Sequence, residues 1–239
     1  MLINLSIFLR PLIYLFFKGN NFTDPIDGKS YRKFLPYGYG KQRENALSPG
    51  TLSLERHRQM WLYLQNETDF FTKNYKVLHI APEQEFLRKF KKMKNLDYTS
   101  ADLFSPIVDV KADILDLPFE DESFDVIFCN HVLEHIEDDR KAMSELYRVM
   151  KKGGWGILQV PMKNSLEKTY EDFTITDPKE RQKHFGQYDH VRWYGMDYFD
   201  RLKSVGFDAE ANFYSQKFSD ADIKKFDLNR NEILPIVRK

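Results

Sequence analysis

Cysteine is almost absent from this chain, which has a single one, Cys129, among its 239 residues. One thiol cannot form an internal disulfide, so a disulfide framework is excluded and a reducing compartment, the cytoplasm, is favoured. An excess of basic charge is absent too, because 36 Lys and Arg residues balance 36 Asp and Glu residues. A chain without net charge presents no basic field to a nucleic-acid backbone, and we therefore expect no nucleic-acid partner.

A long hydrophobic run is also missing. The most apolar stretch, residues 1–17, is interrupted by Arg10 and Pro11 and is shorter than the roughly 20 residues of a membrane-spanning helix. It has neither the basic start nor the small-residue cleavage site of a secretory signal. Three interpretations of this helix remain open: it docks on a membrane surface or a partner, it packs on the domain, or it anchors the chain at the inner face of a membrane.

Apolar periodicity divides the rest of the chain into two parts. Residues 18–54 are rich in Gly, Pro, Asn and Lys and indicate an irregular region. Ser53–Phe71 has a helical pattern, and after Tyr75 short apolar strands alternate with amphipathic helices. Such alternation predicts an α/β fold with a parallel sheet that is covered on both faces. The predicted strands are Val77–Ala81, Tyr98–Ala101, Val108–Ala112, Val126–Asn130, Trp155–Val160 and Ala209–Phe213, and the predicted helices between them are Glu83–Lys92, Asp138–Met150 and Gly195–Val205.

Two of the predicted strands are followed directly by single carboxylates, Asp102 and Asp113. Open parallel sheets bind ligands beyond the carboxyl ends of their strands, so these side chains are candidates for a binding site. One carboxylate can accept paired hydrogen bonds from the vicinal hydroxyls of a ribose, and a second can accept a hydrogen bond from an exocyclic amine. The alternative is that both are ordinary loop or helix-cap aspartates.

The most specific pattern runs from Ala112 to His135 and reads ADILDLPFEDESFDVIFCNHVLEH. It resembles the type 11 group of S-adenosylmethionine-dependent methyltransferases, in which an acidic residue, a D-x-x-x-L-P-F turn, an S-F-D strand start and an x-H-V-L-E-H stretch follow one another. The later KKGGWG stretch, which begins at Lys151, is similar to the P-G-G turn of that group. The similarity extends from about Tyr75 to Phe213.

The resemblance implies a class I, Rossmann-like fold, in which helices cover both faces of a seven-stranded, mostly parallel sheet. It implies a methyltransferase domain over residues 55–239, preceded by a helical and irregular N-terminal extension. The implied cofactor is S-adenosylmethionine, and the implied acceptor is a small molecule or a glycan.

The resemblance also assigns cofactor contacts to individual residues. Asp102 matches the acid that holds the ribose hydroxyls, and Asp113 with the backbone of Ile114 matches the adenine contact. Asn130 and His131 match the strand end that lies under the methionine part and faces the acceptor.

The first loop departs from the pattern of this group, V-L-D-x-G-x-G-x-G, because residues 77–85 read VLHIAPEQE and contain no glycine. Glycines in this loop let the backbone approach the cofactor. His79, Ala81 and Glu83 take their place as candidate cofactor-binding residues, and Ala81 is a small replacement. Glu83 either pairs with the α-ammonium group of the methionine part or caps the next helix. A subgroup with H-x-A-P-E at this loop is similar.

Two turns of the irregular region resemble zinc knuckles whose cysteines have all been replaced. Residues 24–28 read DPIDG where C-P-x-C-G is the pattern, and residues 48–51 read SPGT in place of C-P-G-C. Asp, Ser and Thr make a weak set for structural zinc. We therefore expect the turns to form without a metal ion, and we predict no metal ligand. The alternative is two unrelated Pro-Gly loops.

Three residues are candidates for the catalytic machinery: His131, His190 and Arg192. Methyl transfer depends chiefly on positioning the acceptor, and an oxygen or nitrogen acceptor sometimes needs a base. The stretch FGQYDHVRWY around His190 combines charged and aromatic side chains after the fifth strand, a composition common in binding sites. The alternative is a structural ion pair between Arg192 and Asp189. His135 is a further candidate base, although a histidine in such a helix more often packs or caps.

Two rival functions belong to other classes. A dinucleotide oxidoreductase would show G-x-G-x-x-G after the first strand, and this chain lacks that motif. A catalytically silent methyltransferase-like domain that binds a membrane surface or a partner remains the alternative, because the first loop is altered and the start of the chain is apolar.

Overall fold

A computed structural model describes residues 12–38 and 42–239. The first eleven residues of the apolar segment lie outside this range. Contacts divide the described chain into two units. One unit consists of the residues up to Phe71 together with Phe213–Glu232, and the other consists of Thr72–Asn212 and Ile233–Lys239.

The described strands and helices follow one another along the chain, with two short 3-10 helices at Leu133–His135 and Tyr214–Lys217. The strands are β1 (Lys18–Asp24), β2 (Lys29–Tyr31), β3 (Leu35–Tyr37), β4 (Arg43–Leu47), β5 (Tyr75–Ile80), β6 (Leu96–Asp102), β7 (Val110–Lys111), β8 (Phe124–Cys129), β9 (Met150–Ile157), β10 (Tyr170–Glu171), β11 (Arg192–Trp193), β12 (Asp208–Asn212) and β13 (Leu234–Arg238). The helices are α1 (Glu55–Glu67), α2 (Gln84–Phe90), α3 (Asp139–Val149), α4 (Pro178–Phe185), α5 (Tyr198–Ser204) and α6 (Asp220–Phe226).

The first unit contains two short antiparallel pairs, β1 with β2 and β3 with β4, in the region for which the sequence predicts irregular structure. These strands are three to seven residues long. Strands of this length, separated by Gly- and Pro-containing turns, give no extended alternation of apolar and polar residues. The apolar periodicity of the sequence therefore does not predict these hairpins.

Residues 12–17 are helical and lie against the first hairpin. The ring of Tyr14 contacts that of Tyr31 edge-on at 5.6 Å between centroids, and the carbonyl of Phe17 accepts a hydrogen bond from the Arg32 amide at 2.7 Å. The side chains of Leu15 and Phe16 on the same helix are exposed, with relative accessibilities of 69% and 70%. Among the described residues, no helix combines the length and apolar character needed to cross a membrane.

The second unit is built on a seven-stranded sheet with the order β12-β13-β9-β8-β5-β6-β7. The five strands from β9 to β7 in that order are parallel, and β13 is antiparallel to both of its neighbours. The predicted α/β fold with a mostly parallel sheet is thereby confirmed. The strand that the sequence did not predict is β13, because Pro235 lies inside it and proline is rare in strand interiors.

Helices cover both faces of this sheet. On one face, Leu78 and Ile127 belong to a buried cluster that also contains Leu146 of α3 and Leu202 of α5. On the other face, the Phe90 ring of α2 lies 5.8 Å from the ring of Phe128. Because parallel strands with both faces buried carry apolar side chains on both sides, β5 and β8 read as continuous apolar runs.

The sheet has one topological switch point. From β5 the chain proceeds through β6 and β7 toward one edge, and from β8 through β9 toward the other. Open parallel sheets bind ligands in the crevice outside the carboxyl ends of the strands at such a reversal. In this chain the crevice lies after Ile80 of β5 and Cys129 of β8.

A buried ion pair holds the loop before β8 against α3. Glu145, which is 6% exposed, accepts hydrogen bonds from the Leu117 amide at 2.9 Å and from the Arg148 guanidinium at 2.8 and 2.9 Å. Arg148 in turn donates to the carbonyls of Leu117 and Phe119. The hydrogen bonds from Arg148 lower the pKa of Glu145 to about 2.

Glu145→Gln should therefore reduce the free energy of unfolding by about 2 kcal/mol at pH 7. A carboxyl group whose folded pKa is depressed stabilises the fold fully above its unfolded pKa, and this contribution is lost as the pH falls from about 4.5 towards 2. Urea unfolding at pH 7, 5 and 3 should show a shallower loss of stability with acid in the variant. Glu210→Gln, at an exposed pair with Arg238, is the matched control. Equal acid slopes in wild type and Glu145→Gln would contradict this assignment.

Candidate functional site

A cavity of about 510 Å³ lies at the carboxyl ends of the central strands, within the size range of small-molecule sites. Its walls come from the ends of β5, β6, β7 and β8 and from one later loop. The lining residues are Ile80, Ala81, Asp102, Leu103, Phe104, Ala112, Asp113, Ile114, His131, Val132, His135, Ile136 and Asp189. Five of the ten predicted site residues are thus brought together here: Ala81, Asp102, Asp113, Ile114 and His131.

The two predicted carboxylates both line this cavity. Asp102 uses Oδ1 to accept hydrogen bonds from the amides of Phe104 at 2.7 Å and Ser105 at 2.6 Å, and Asp113 uses Oδ1 to accept one from the Leu115 amide at 2.9 Å. Each backbone turn fixes its carboxylate through one oxygen. The second oxygen of each carboxylate is left to accept hydrogen bonds from a ligand.

The first loop keeps the backbone conformation that glycine adopts readily, although it contains no glycine. Ala81 has a φ of +45°, in the left-handed region that non-glycine residues rarely occupy. Its amide donates to the carbonyl of Ala101 at 2.8 Å, and its methyl group is the smallest side chain that the position can carry. The backbone can therefore approach a ligand at Ala81 almost as closely as at a glycine.

His79 and Glu83 are placed away from the cavity lining. His79 is fully buried, with Nε2 3.0 Å from Oε2 of Glu83 and Nδ1 2.9 Å from the hydroxyl of Tyr98. Glu83 occupies the N-cap position of α2 but its side chain forms no capping hydrogen bond there. Both side chains thus support the first loop from outside the cavity lining. The sequence pattern alone does not reveal this pairing.

Asn130 and His131 follow β8 and point in different directions. Asn130 is buried, and its Oδ1 accepts a hydrogen bond from the Gln159 amide at 3.3 Å, which links the ends of β8 and β9. His131 has a φ of +55° and lines the cavity. Its Nδ1 lies 3.2 Å from Oε1 of Glu134. Of this predicted pair, His131 is the one placed at the cavity.

Glu134 is a buried acid that the sequence did not single out. Desolvation acts to raise its pKa, but the hydrogen bond with His131 and the charges of His131 and His135 bring the pKa below its ordinary value. Its other oxygen, Oε2, is buried without a hydrogen-bond partner among the described residues. The signal available in the sequence is the H-x-x-E-H spacing, which places these groups on a single turn.

His190 joins this cluster from a distant part of the chain. Its ring packs edge-on against that of His135 with 4.7 Å between centroids, and its Nε2 lies 4.0 Å from Oε1 of Glu134. Burial lowers the pKa of His190, so the neutral ring is favoured. His190 is not among the cavity-lining residues, but its neighbours His135 and Asp189 are.

Comparison with known proteins agrees with this geometry. Residues 62–158 match the model of the type 11 methyltransferase domain family. This matched stretch, which is less than half of the chain, is similar to the methyltransferase domains of that family. The catalytically silent alternative is not favoured by these findings.

Relatives of this chain match parts of it. An uncharacterized protein of Methanocaldococcus jannaschii is 32% identical over 106 residues, which are 44% of this chain and 41% of that protein. Demethylmenaquinone methyltransferase of Clavibacter sepedonicus is 47% identical over 45 residues, 19% of this chain and 18% of that enzyme. A crystal structure of an S-adenosylmethionine-dependent methyltransferase from Mesorhizobium loti has a TM-score of 0.51 at 14% identity, covering 76% of this chain and 98% of that one. The structural likeness shows the fold, and the matches span less than half of the two curated relatives.

Arg192 is fully buried and is not among the residues that line the cavity. Its guanidinium donates to the carbonyls of Leu133 at 3.0 Å and Glu137 at 2.8 Å and to Oε2 of Glu171 at 2.8 Å. The acids near it are Glu171 and Asp139, and not Asp189 as the sequence-based alternative supposed. Arg192 therefore ties the segment after β8 to later parts of the unit.

Proposed function

We propose that the chain transfers the methyl group of S-adenosylmethionine, bound in the cavity at the β5–β8 switch point, to a small-molecule acceptor. The observation that carries the proposal is the pair of carboxylates, Asp102 and Asp113, that follow neighbouring strands and share one cavity with Ala81. The cofactor supplies an electrophilic methyl group on a sulfonium. The protein's contribution is to hold the cofactor, exclude water and place the acceptor in line.

Asp102 is proposed to accept the ribose hydroxyls through the oxygen that the Phe104 and Ser105 amides leave available. Asp113 is proposed to accept the adenine amine, with the Ile114 backbone beside it. The exposed ring of Phe104 lines the same part of the cavity and offers an apolar face to the base. A cavity of about 510 Å³ is large enough for one cofactor molecule together with part of an acceptor.

His131 is proposed as the residue that faces the acceptor. It lines the cavity, and its Nδ1 lies 3.2 Å from Oε1 of Glu134, which is the pairing of a histidine base with a carboxylate. Glu134 orients the ring and stabilises its charged form, as a carboxylate does for a histidine base. A glycan acceptor is compatible with the same chemistry, since sugar hydroxyls also lose a proton on methylation.

Calorimetric titration with S-adenosylhomocysteine tests this function. Wild type should bind one molecule, and Asp113→Asn and Asp102→Asn should each lose about 1–3 kcal/mol of binding free energy, because a ligand donor would face an amide NH₂ group in place of a carboxylate oxygen. Asp208→Asn, at an exposed position of β12, is the control and should bind like wild type. A folded wild-type protein that does not bind S-adenosylhomocysteine would refute the proposal.

A further inference from the structure

Three side chains beside the cavity bring potential metal ligands together. Glu134, His135 and His190 each offer one ligand atom, and these atoms lie within 4.8 Å of one another. Glu134 and His190 are buried, and His135 lines the cavity. One wall of the cavity is therefore formed by a histidine that belongs to a cluster of one carboxylate and two imidazoles.

The hydrogen bonds of both histidines fix their tautomers in a way that suits metal binding. Nδ1 of His190 lies 3.2 Å from the Phe185 carbonyl, and Nδ1 of His135 lies 3.3 Å from the Asp189 carbonyl. A carbonyl oxygen cannot donate, so each Nδ1 carries the proton and each neutral ring has its lone pair on Nε2. Metal-binding histidines commonly donate their other ring N–H to a backbone carbonyl in this manner.

Two hydrogen-bond acceptors of the cluster, one from His190 and one from Glu134, face each other with no proton between them. Nε2 of His190 is 4.0 Å from Oε1 of Glu134, which is beyond hydrogen-bond distance. Oε2 of Glu134 is buried and has no hydrogen-bond partner among the described residues, and the whole side chain is 1% exposed. A buried carboxylate that has one oxygen without a hydrogen-bond partner among the described residues and the other 4.0 Å from an imidazole lone pair is an environment that a cation stabilises.

We propose that Glu134, His135 and His190 bind a divalent transition-metal ion beside the cavity wall that His135 forms. Two imidazoles and one carboxylate suit ions such as Zn²⁺, Mn²⁺ and Co²⁺, and three protein ligands leave a coordination position open. Ligand atoms at about 2.1 Å from one tetrahedral ion are about 3.4 Å apart. Side-chain rotations that move the ligand atoms by about an ångström therefore bring them to these distances.

The open position has a consequence for the acceptor, which rests on the proposed methyltransferase function. An acceptor hydroxyl bound to the ion would lose its proton more readily, with His131 as the nearby proton acceptor. The oxygen would then form a bond to the methyl carbon as the carbon–sulfur bond breaks and its electron pair stays on sulfur. The site thus selects an oxygen acceptor, a hydroxyl or enol, over a carbon acceptor.

Metal binding is tested on the metal-free chain with Co²⁺ alone, followed by its visible absorption at neutral pH, and with Zn²⁺ as a competitor. Wild type should bind one Co²⁺ per chain, and Zn²⁺ should displace it. His135→Ala and Glu134→Gln should weaken Co²⁺ binding by more than about tenfold. His184→Ala removes an exposed histidine of α4 outside the cluster and should leave the affinity unchanged.

His135 is partly exposed, so its alanine variant keeps the test valid even where replacement of the buried Glu134 affects folding. Absence of Co²⁺ binding by wild type, or equal binding by His135→Ala, would overturn the proposal. S-adenosylhomocysteine titrations of the same preparations separate the two hypotheses. A wild-type protein that binds Co²⁺ but not S-adenosylhomocysteine would refute the methyltransferase function and support the metal site.

Discussion

Arg192→Met is expected to reduce the free energy of unfolding by about 3–5 kcal/mol, because buried backbone carbonyls lose their hydrogen-bond donor at a cost of about 1–3 kcal/mol each. The guanidinium is fully buried, and the Glu171 carboxylate that accepts from it at 2.8 Å also accepts from Arg201 at 2.7 Å. The carbonyls of Ile136 and Glu137 lose their donor in the same variant. Urea unfolding followed by circular dichroism measures the effect.

The hydrogen bonds from Arg192 to backbone carbonyls link its contribution to stability with the geometry of the site. Leu133 and Glu137 flank the turn that carries Glu134 and His135, so loosening of this turn should also disturb the cavity wall. We therefore expect the affinity for S-adenosylhomocysteine to fall in parallel with stability. Arg238→Met, at a half-exposed pair with Glu210, is the control and should change stability by less than about 0.5 kcal/mol.

A different result would restore the catalytic interpretation of Arg192 that its sequence context suggests. An Arg192→Met variant that melts like wild type and binds S-adenosylhomocysteine normally, but transfers no methyl group, would place the side chain at the acceptor. The binding titration and the unfolding experiment must therefore be carried out on the same preparation.

The sheet and the placement of Asp102 and Asp113 at its edge could be predicted because their signals are local. Strand periodicity locates β5, β6 and β8, and a carboxylate directly after a strand end must lie at the edge where parallel strands meet. Asp102 and Asp113 needed no knowledge of distant contacts.

The acceptor side could not be predicted because it depends on contacts between distant segments. Glu134 and His190 are separated by 56 positions, and no periodicity connects them. Arg192 and His190 lie in the same charged and aromatic stretch, yet one ties backbone carbonyls together and the other joins a histidine cluster. Composition indicates that such a stretch holds polar groups among aromatic ones, but burial and partners decide what each group does.

The first unit carries a second buried network, at the two turns that resemble zinc knuckles without cysteine. Asp24 is fully buried, and its Oδ2 accepts hydrogen bonds from the hydroxyls of Thr51 and, at 3.1 Å, Ser53. Its Oδ1 accepts from the Ile26 amide at 2.9 Å. At Gly50, a Cβ atom would lie 2.0 Å from the Tyr31 hydroxyl, so glycine allows the two turns to approach each other.

Asp24→Ala should therefore reduce the free energy of unfolding by about 3 kcal/mol, because three buried donors lose one acceptor group. Asp24→Asn should cost less, since the amide keeps one acceptor oxygen for the Ile26 amide while the hydroxyls of Thr51 and Ser53 can rotate to accept from its NH₂ group. Glu44→Ala, at an exposed position of β4, is the control and should be neutral. Urea unfolding gives the global effect, and amide hydrogen exchange of Ile26 reports the network directly. If Asp24→Ala is as stable as the control, hydrogen bonds of Asp24 do not hold the turns together, and the turns owe their packing to Gly50 and Tyr31.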